Sequence, residues 1–189
     1  MSVRPCQLQT FRVEITATPA QRARAYDLLE AGGDVWAWCI DRYHARRRAK
    51  EPQANSNIEL WPELRVHGPF GDLSMTCAQD VAKNWSAVYF EAKRRQKAGE
   101  CATLPLRKRR LVPVTCRKGK FILTPSTGDA RARVRLETAR SAPTLDLRLS
   151  HDHPYDEDLV RSVRLHGKPE TSSSTSPRGS VCQRHRSLR

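Results

Sequence analysis

Apolar and polar residues alternate from Leu8 to Thr16, with Phe11, Val13 and Ile15 set against Arg12 and Glu14. A period of two predicts a half-buried strand. Thr18 and Pro19 then open a helix: Thr18 stands at the N-cap, Pro19 at the first helical position, and Gln21 completes a capping box. Ala25, Leu28 and Leu29 give this helix its apolar face, and Gly32-Gly33 is expected to stop it. A second helix is expected from Asp34, with Trp36, Cys39, Ile40 and Tyr43 at helical spacing. It leaves through Arg46, Arg47, Arg48 and Lys50, where cations suit the negative end of the helix dipole. The breakers Pro52, Pro62, Gly68, Pro69 and Gly71 predict an irregular connector, with Trp61 packed back on the helices. A longer helix follows from about Ser74 to Ala98, with Val81, Trp85, Val88, Tyr89 and Ala92 on one face and Gly99 as its stop.

Beyond Leu104 the period returns to two. Leu111 to Cys116 and Phe121 to Thr124 read as strands joined by a turn at Lys118-Gly119. Arg131, Arg133 and Arg135 alternate with Ala132, Val134 and Leu136; Leu145, Leu147 and Leu149 alternate again, and Val163 and Leu165 suggest one more strand. The expected fold is α+β: a small antiparallel β-barrel, OB-like or wedge-like, interrupted after its first strand by a helical insertion. The barrel would take residues 8–16 and 104–165, the insertion 17–103. Residues 166–189 are rich in Ser, Pro and Arg and are expected to be a disordered tail.

Charge adds a partner to this picture. Between Glu91 and Arg135 lie fourteen Lys or Arg and only three acids, Glu91, Glu100 and Asp129, while the whole chain carries a formal net charge of +14. Charge so concentrated repels itself unless a polyanion neutralises it, and nucleic acid is the usual one. The apolar content is 38%, no stretch approaches a membrane span, and Met1 to Thr10 carries no apolar signal core. A cytoplasmic protein with no membrane partner is expected. The six cysteines are scattered without a C-x-x-C pair, which predicts thiols and no zinc knuckle.

The candidate nucleic-acid-binding residues follow the charge: Arg46 and Arg47; Arg94, Arg95 and Lys97; Arg107, Lys108, Arg109 and Arg110; Arg117, Lys118 and Lys120; and Arg131, Arg133 and Arg135. Arg107 to Arg110 suits a phosphate clamp. The three alternating arginines suit a ladder along a backbone, since like charges two apart on one strand face repel. Trp36, Trp85 and Tyr89 have core spacing, whereas Trp38 lies off the apolar stripe and is the candidate for stacking a base.

The order of these pieces resembles the N-terminal half of the TnpB-type RNA-guided nucleases of insertion sequences. Four stretches carry the likeness: Phe11-Arg12-Val13 with Ala17-Thr18-Pro19-Ala20-Gln21; Trp36-Ala37-Trp38-Cys39-Ile40-Asp41, where the family more often has Asn at the last place; Val81 to Gly99; and Leu104-Pro105-Leu106-Arg107-Lys108-Arg109. Together they span roughly residues 8 to 165. The resemblance implies a wedge β-barrel with a helical recognition insertion, gripping structured guide RNA and helping to read DNA. Family members continue into a RuvC-like nuclease domain with metal-binding carboxylates and a zinc ribbon, and neither follows here. The expectation is a nucleic-acid-binding half, without cofactor or catalytic residues of its own.

Two other functions stay open at this stage. An independent basic RNA- or DNA-binding module would have the same charge. A metal-dependent nuclease would use His151 and His153 with Asp156, Glu157 and Asp158 nearby, although Pro154 interrupts the H-x-H run. No phosphate-binding glycine loop, nucleophile elbow or H-E-x-x-H motif occurs.

Overall fold

The computed structural model describes residues 8–52, 55–127, 130–152, 159–167 and 178–184, with the side chains of 8, 9 and 178–184 left aside. Among the described residues three helices and seven strands run in the order β1 (Leu8–Thr16), α1 (Pro19–Arg48), α2 (Asn57–His67), α3 (Met75–Lys97), β2 (Val114–Arg117), β3 (Phe121–Thr124), β4 (Arg133–Leu136), β5 (Leu145–Leu149), β6 (Val160–His166) and β7 (Arg178–Arg184). The chain divides into two compact units, residues 1–26 with 115–189, and residues 27–114. The class is α+β, as the change of period predicts.

In the β unit the strand order is β2-β6-β7-β1-β5-β4-β3. It comprises two antiparallel sheets that share β1. Leu8 to Glu14 pair with β7, and the last residues of β1 pass to β5 through Ile15 opposite Leu149 and Thr16 opposite Arg148. The alternation seen in the sequence becomes an inside and an outside. Val13, Ile15, Leu123, Val134, Leu136, Leu147, Leu149, Val163 and Leu165 all turn into one apolar core. The outermost strands β2 and β3 are joined only by Lys118 to Lys120, so their near ends lie within about 14 Å, whereas seven strands laid flat would span about 29 Å. The sheets are therefore strongly rolled. Among the described residues no ladder joins β2 to β3, so the roll is not a closed barrel. The expected turn at Lys118-Gly119 is present, with Gly119 at φ 86°, but the two strands it joins are edges that pair away from each other.

Three further expectations need correction. Gly32-Gly33 does not stop a helix: α1 runs unbroken to Arg48. The connector from Pro52 to Gly71 contains α2, which opens with a complete capping box between Ser56 and Glu59 and tolerates Pro62 within it. Leu60 and Leu64 bury its inner face, and that burial outweighs the single helical bond Pro62 cannot make. Within the stretch expected to be disordered, Arg178 to Arg184 forms β7 between β1 and β6. A ladder needs backbone rather than apolar side chains, and without β7 both neighbours would present an unpaired edge. The rest of that stretch beyond residue 167 lies outside the described residues.

The helical unit packs around Leu29, Val35, Trp36, Cys39, Ile40 and Tyr43 of α1, Leu60 and Leu64 of α2, and Val81, Trp85 and Tyr89 of α3. Trp85 and Tyr89 stack with centroids 5.4 Å apart, and Tyr43 meets Tyr89 at 5.7 Å. α1 and α3 end alike. The Glu51 amide donates to the Arg46 carbonyl with Lys50 at φ 57°, and the Glu100 amide donates to the Arg95 carbonyl with Gly99 at φ 81°. Each is a left-handed cap that satisfies the last carbonyls. None of the described helices is long and apolar enough to cross a membrane.

Candidate nucleic-acid interface

The basic segment after α3 is fixed to the helical unit by its backbone. The buried indole of Trp85 donates to the Pro105 carbonyl at 3.2 Å, and that of Trp36 donates to the Arg107 carbonyl at 3.3 Å. Further on, the Val112 amide donates to the Leu29 carbonyl at 3.1 Å. The glycine pair of α1 makes this approach possible. A Cβ on Gly33 would overlap the Arg110 carbonyl and stand 2.6 Å from that of Arg109, and one on Gly32 would stand 3.0 Å from the Val112 carbonyl. The glycines are thus a groove in the helix that receives the segment.

This seating divides the four cations. Lys108 pairs with Asp41 at 3.0 Å, and Arg110 pairs with Glu30 at 2.8 Å. Arg107 and Arg109 are exposed, and among the described residues neither has a carboxylate partner. The Arg109 guanidinium lies 4.7 Å from the centre of the Trp36 ring, a cation–π contact that orients it without neutralising it. Trp36, Pro105 and Arg107 to Arg110 line an open cleft of about 350 Å³. Two cations held on a rigid backbone beside a desolvated aromatic ring suit the oxygens of neighbouring phosphates.

The other candidates fall into distinct settings. Arg46 is buried and engaged by Glu63, which also takes Arg42, so Arg46 serves the fold and is not offered to a ligand. Arg47 and Lys97 are exposed at the ends of α1 and α3. Arg94 forks onto Glu91 at 2.6 and 2.9 Å, holding that carboxyl below its usual range, and Arg95 pairs with Glu100 at 2.6 Å. Arg117 at the end of β2 and Lys118 in the turn that follows are exposed, and Lys120 is tied to Glu137 at 3.0 Å. Arg131, Arg133 and Arg135 share the outer face of the β unit in a second cleft of about 320 Å³, with Arg135 3.6 Å from Asp146.

Trp38 is only half buried. Trp36, assigned to the core by its spacing, is in the core and is also the tryptophan that meets a cation. His151 is described, with its Nδ1 2.9 Å from the Ser150 hydroxyl and its ring edge-on to Phe11. His153, Asp156, Glu157 and Asp158 lie outside the described residues, among which no group of three metal-ligating side chains converges. Cys39, Cys77 and Cys116 are buried thiols, and Cys101 is exposed. Burial pushes the Cys39 thiol up to about 12. Compared with models of known protein families and with curated proteins, the chain finds no match.

Proposed function

We propose that this protein binds structured RNA, DNA or both by their phosphate backbones, as the nucleic-acid-gripping part of an RNA-guided nuclease of the TnpB type, and does not itself cleave. The observation that carries this reading is the division of the Arg107–Arg110 run. All four cations are exposed; two of them pair with Asp41 and Glu30, and two have no carboxylate partner among the described residues, on a segment held by Trp36 and Trp85. A merely solvated basic loop needs no such seating. A phosphate clamp does, because fixing the donors beforehand removes the entropy cost of ordering long side chains on binding. Contacts of this kind position a nucleic acid without reading its sequence.

The test is binding of the full chain to an RNA hairpin and to duplex DNA across a salt series, with Mg²⁺ present and products analysed. The reading expects affinity that falls steeply with salt and intact nucleic acid. Salt-independent binding, or cleavage that depends on the metal, would contradict it.

A further inference from the structure

The rolled sheets carry a second cationic surface whose central member the sequence reading passes over. The registers of β1, β5, β4 and β3 bring Thr16, Arg148, Arg133 and Thr124 into one row across four strands. Arg133 and Arg148 are thus directly opposed, both exposed, and among the described residues neither has a carboxylate partner. Like charges facing across an antiparallel pair destabilise a sheet. The nearby acid does not relieve them: Asp146 stands opposite Arg135 in the next outward row and pairs there instead. That second row ends in Ile122, opposite Arg135 and 53% exposed, an apolar side chain set among arginines at the cleft that also takes Arg131.

Resting on the nucleic-acid reading above, we propose that this outer face of β3, β4 and β5 is a binding site for a single nucleic-acid strand. Arg133 and Arg148 together take phosphate oxygens, and Ile122 supports an unstacked base. The combination decides between ligand forms. A row of cations alone would serve duplex or single strand equally, but a duplex keeps its bases stacked and offers a strand face only phosphate and sugar. What sets Ile122 apart from the other exposed apolar residues, such as Ile58 and Val66, is its place in the arginine-lined cleft, where it can support a base only if the bases are free. Arg148 is the determining residue, because it converts the alternating arginines of one strand into a pair that spans two.

The experiment uses the full chain with a labelled single-stranded RNA 12-mer, a blunt RNA duplex and inorganic polyphosphate as probes. Wild type and three variants, Arg133→Gln with Arg148→Gln, Ile122→Ser, and Arg107→Gln with Arg109→Gln, are titrated with each. The double Arg133/Arg148 variant is expected to lose roughly tenfold or more in affinity for the 12-mer and about 1.4 from its salt slope, with duplex binding changed less than about twofold. Its Tm should stay level or rise, since a repulsive pair has been removed. Ile122→Ser should weaken the 12-mer and leave polyphosphate unchanged. If wild type binds the 12-mer and the Arg133/Arg148 variant binds it equally well, this site is wrong while the general reading stands. Equal losses for 12-mer and duplex would also overturn the single-strand assignment. If wild type binds no probe, the general reading fails first and takes this one with it.

Discussion

The Arg110 carbonyl occupies the place where a Cβ on Gly33 would stand. Helix α1 therefore carries its glycine pair as a seat for the basic segment.

Gly33→Ala tests that seat. Helix propensity alone favours Ala by about 1 kcal/mol. The overlap with the Arg109 and Arg110 carbonyls should reverse the sign and cost about 1–3 kcal/mol, as overpacking does. Gly32→Ala, facing atoms at 3.0 and 3.2 Å, should fall near neutral. Urea midpoints separate the two, and a stabilised Gly33→Ala would remove the groove from the account.

Two helix caps make opposite predictions. Lys50 holds φ 57° with a side chain that this region disfavours, so Lys50→Gly should stabilise by about 0.5–1 kcal/mol. Gly99 holds φ 81° with open space around it, so Gly99→Ala should destabilise by about 1 kcal/mol through backbone strain alone. Thermal melts check both, with a shift of roughly 2–4 °C for each kcal/mol.

His166 links the β unit to pH. Burial, then the charges of Arg164 and Arg12, lower its proton affinity in the folded state. The unfolded chain thus binds the proton more readily, so stability is full above the ordinary histidine range near 6.5 and falls as pH drops below it. His166→Gln should flatten the stability profile on that acid side. An unchanged profile would show that the imidazole titrates freely.

Thiol chemistry reports on packing. Cys39, pushed up to about 12 by burial, should resist alkylation at pH 8 in the folded protein, while exposed Cys101 reacts. Peptide mapping after brief iodoacetamide treatment distinguishes them. Rapid labelling of Cys39 would mean that α1 is not packed as described.

Periodicity exposed strands β1 to β6 because each has a wetter and a drier face, and it placed Ser74 and Gly99 at the ends of α3 because both caps are local. It failed where a residue answers to a distant partner. Gly32-Gly33 has the composition of a helix stop, but the carbonyls that explain it are nearly eighty residues away. Pro62 resembles a breaker until the burial of Leu60 and Leu64 is known. Arg46 reads as part of a basic exit, although Glu63 claims it inside the fold. Arg148 sits alone in sequence, and only the register of β4 on β5 sets it opposite Arg133. The site was thus legible as charge. Which cations are offered and which are spent on the fold depended on partners that sequence spacing does not reveal.

The most direct measurement compares two double variants in RNA-hairpin binding across a salt series. Arg107→Gln with Arg109→Gln should weaken binding and reduce the salt slope by about 2. Lys108→Gln with Arg110→Gln should change the slope by less than about 0.5, while lowering Tm slightly through the lost pairs with Asp41 and Glu30. Equal slopes for the two variants, or the larger loss in the second, would contradict the division of this segment into seated and offered cations.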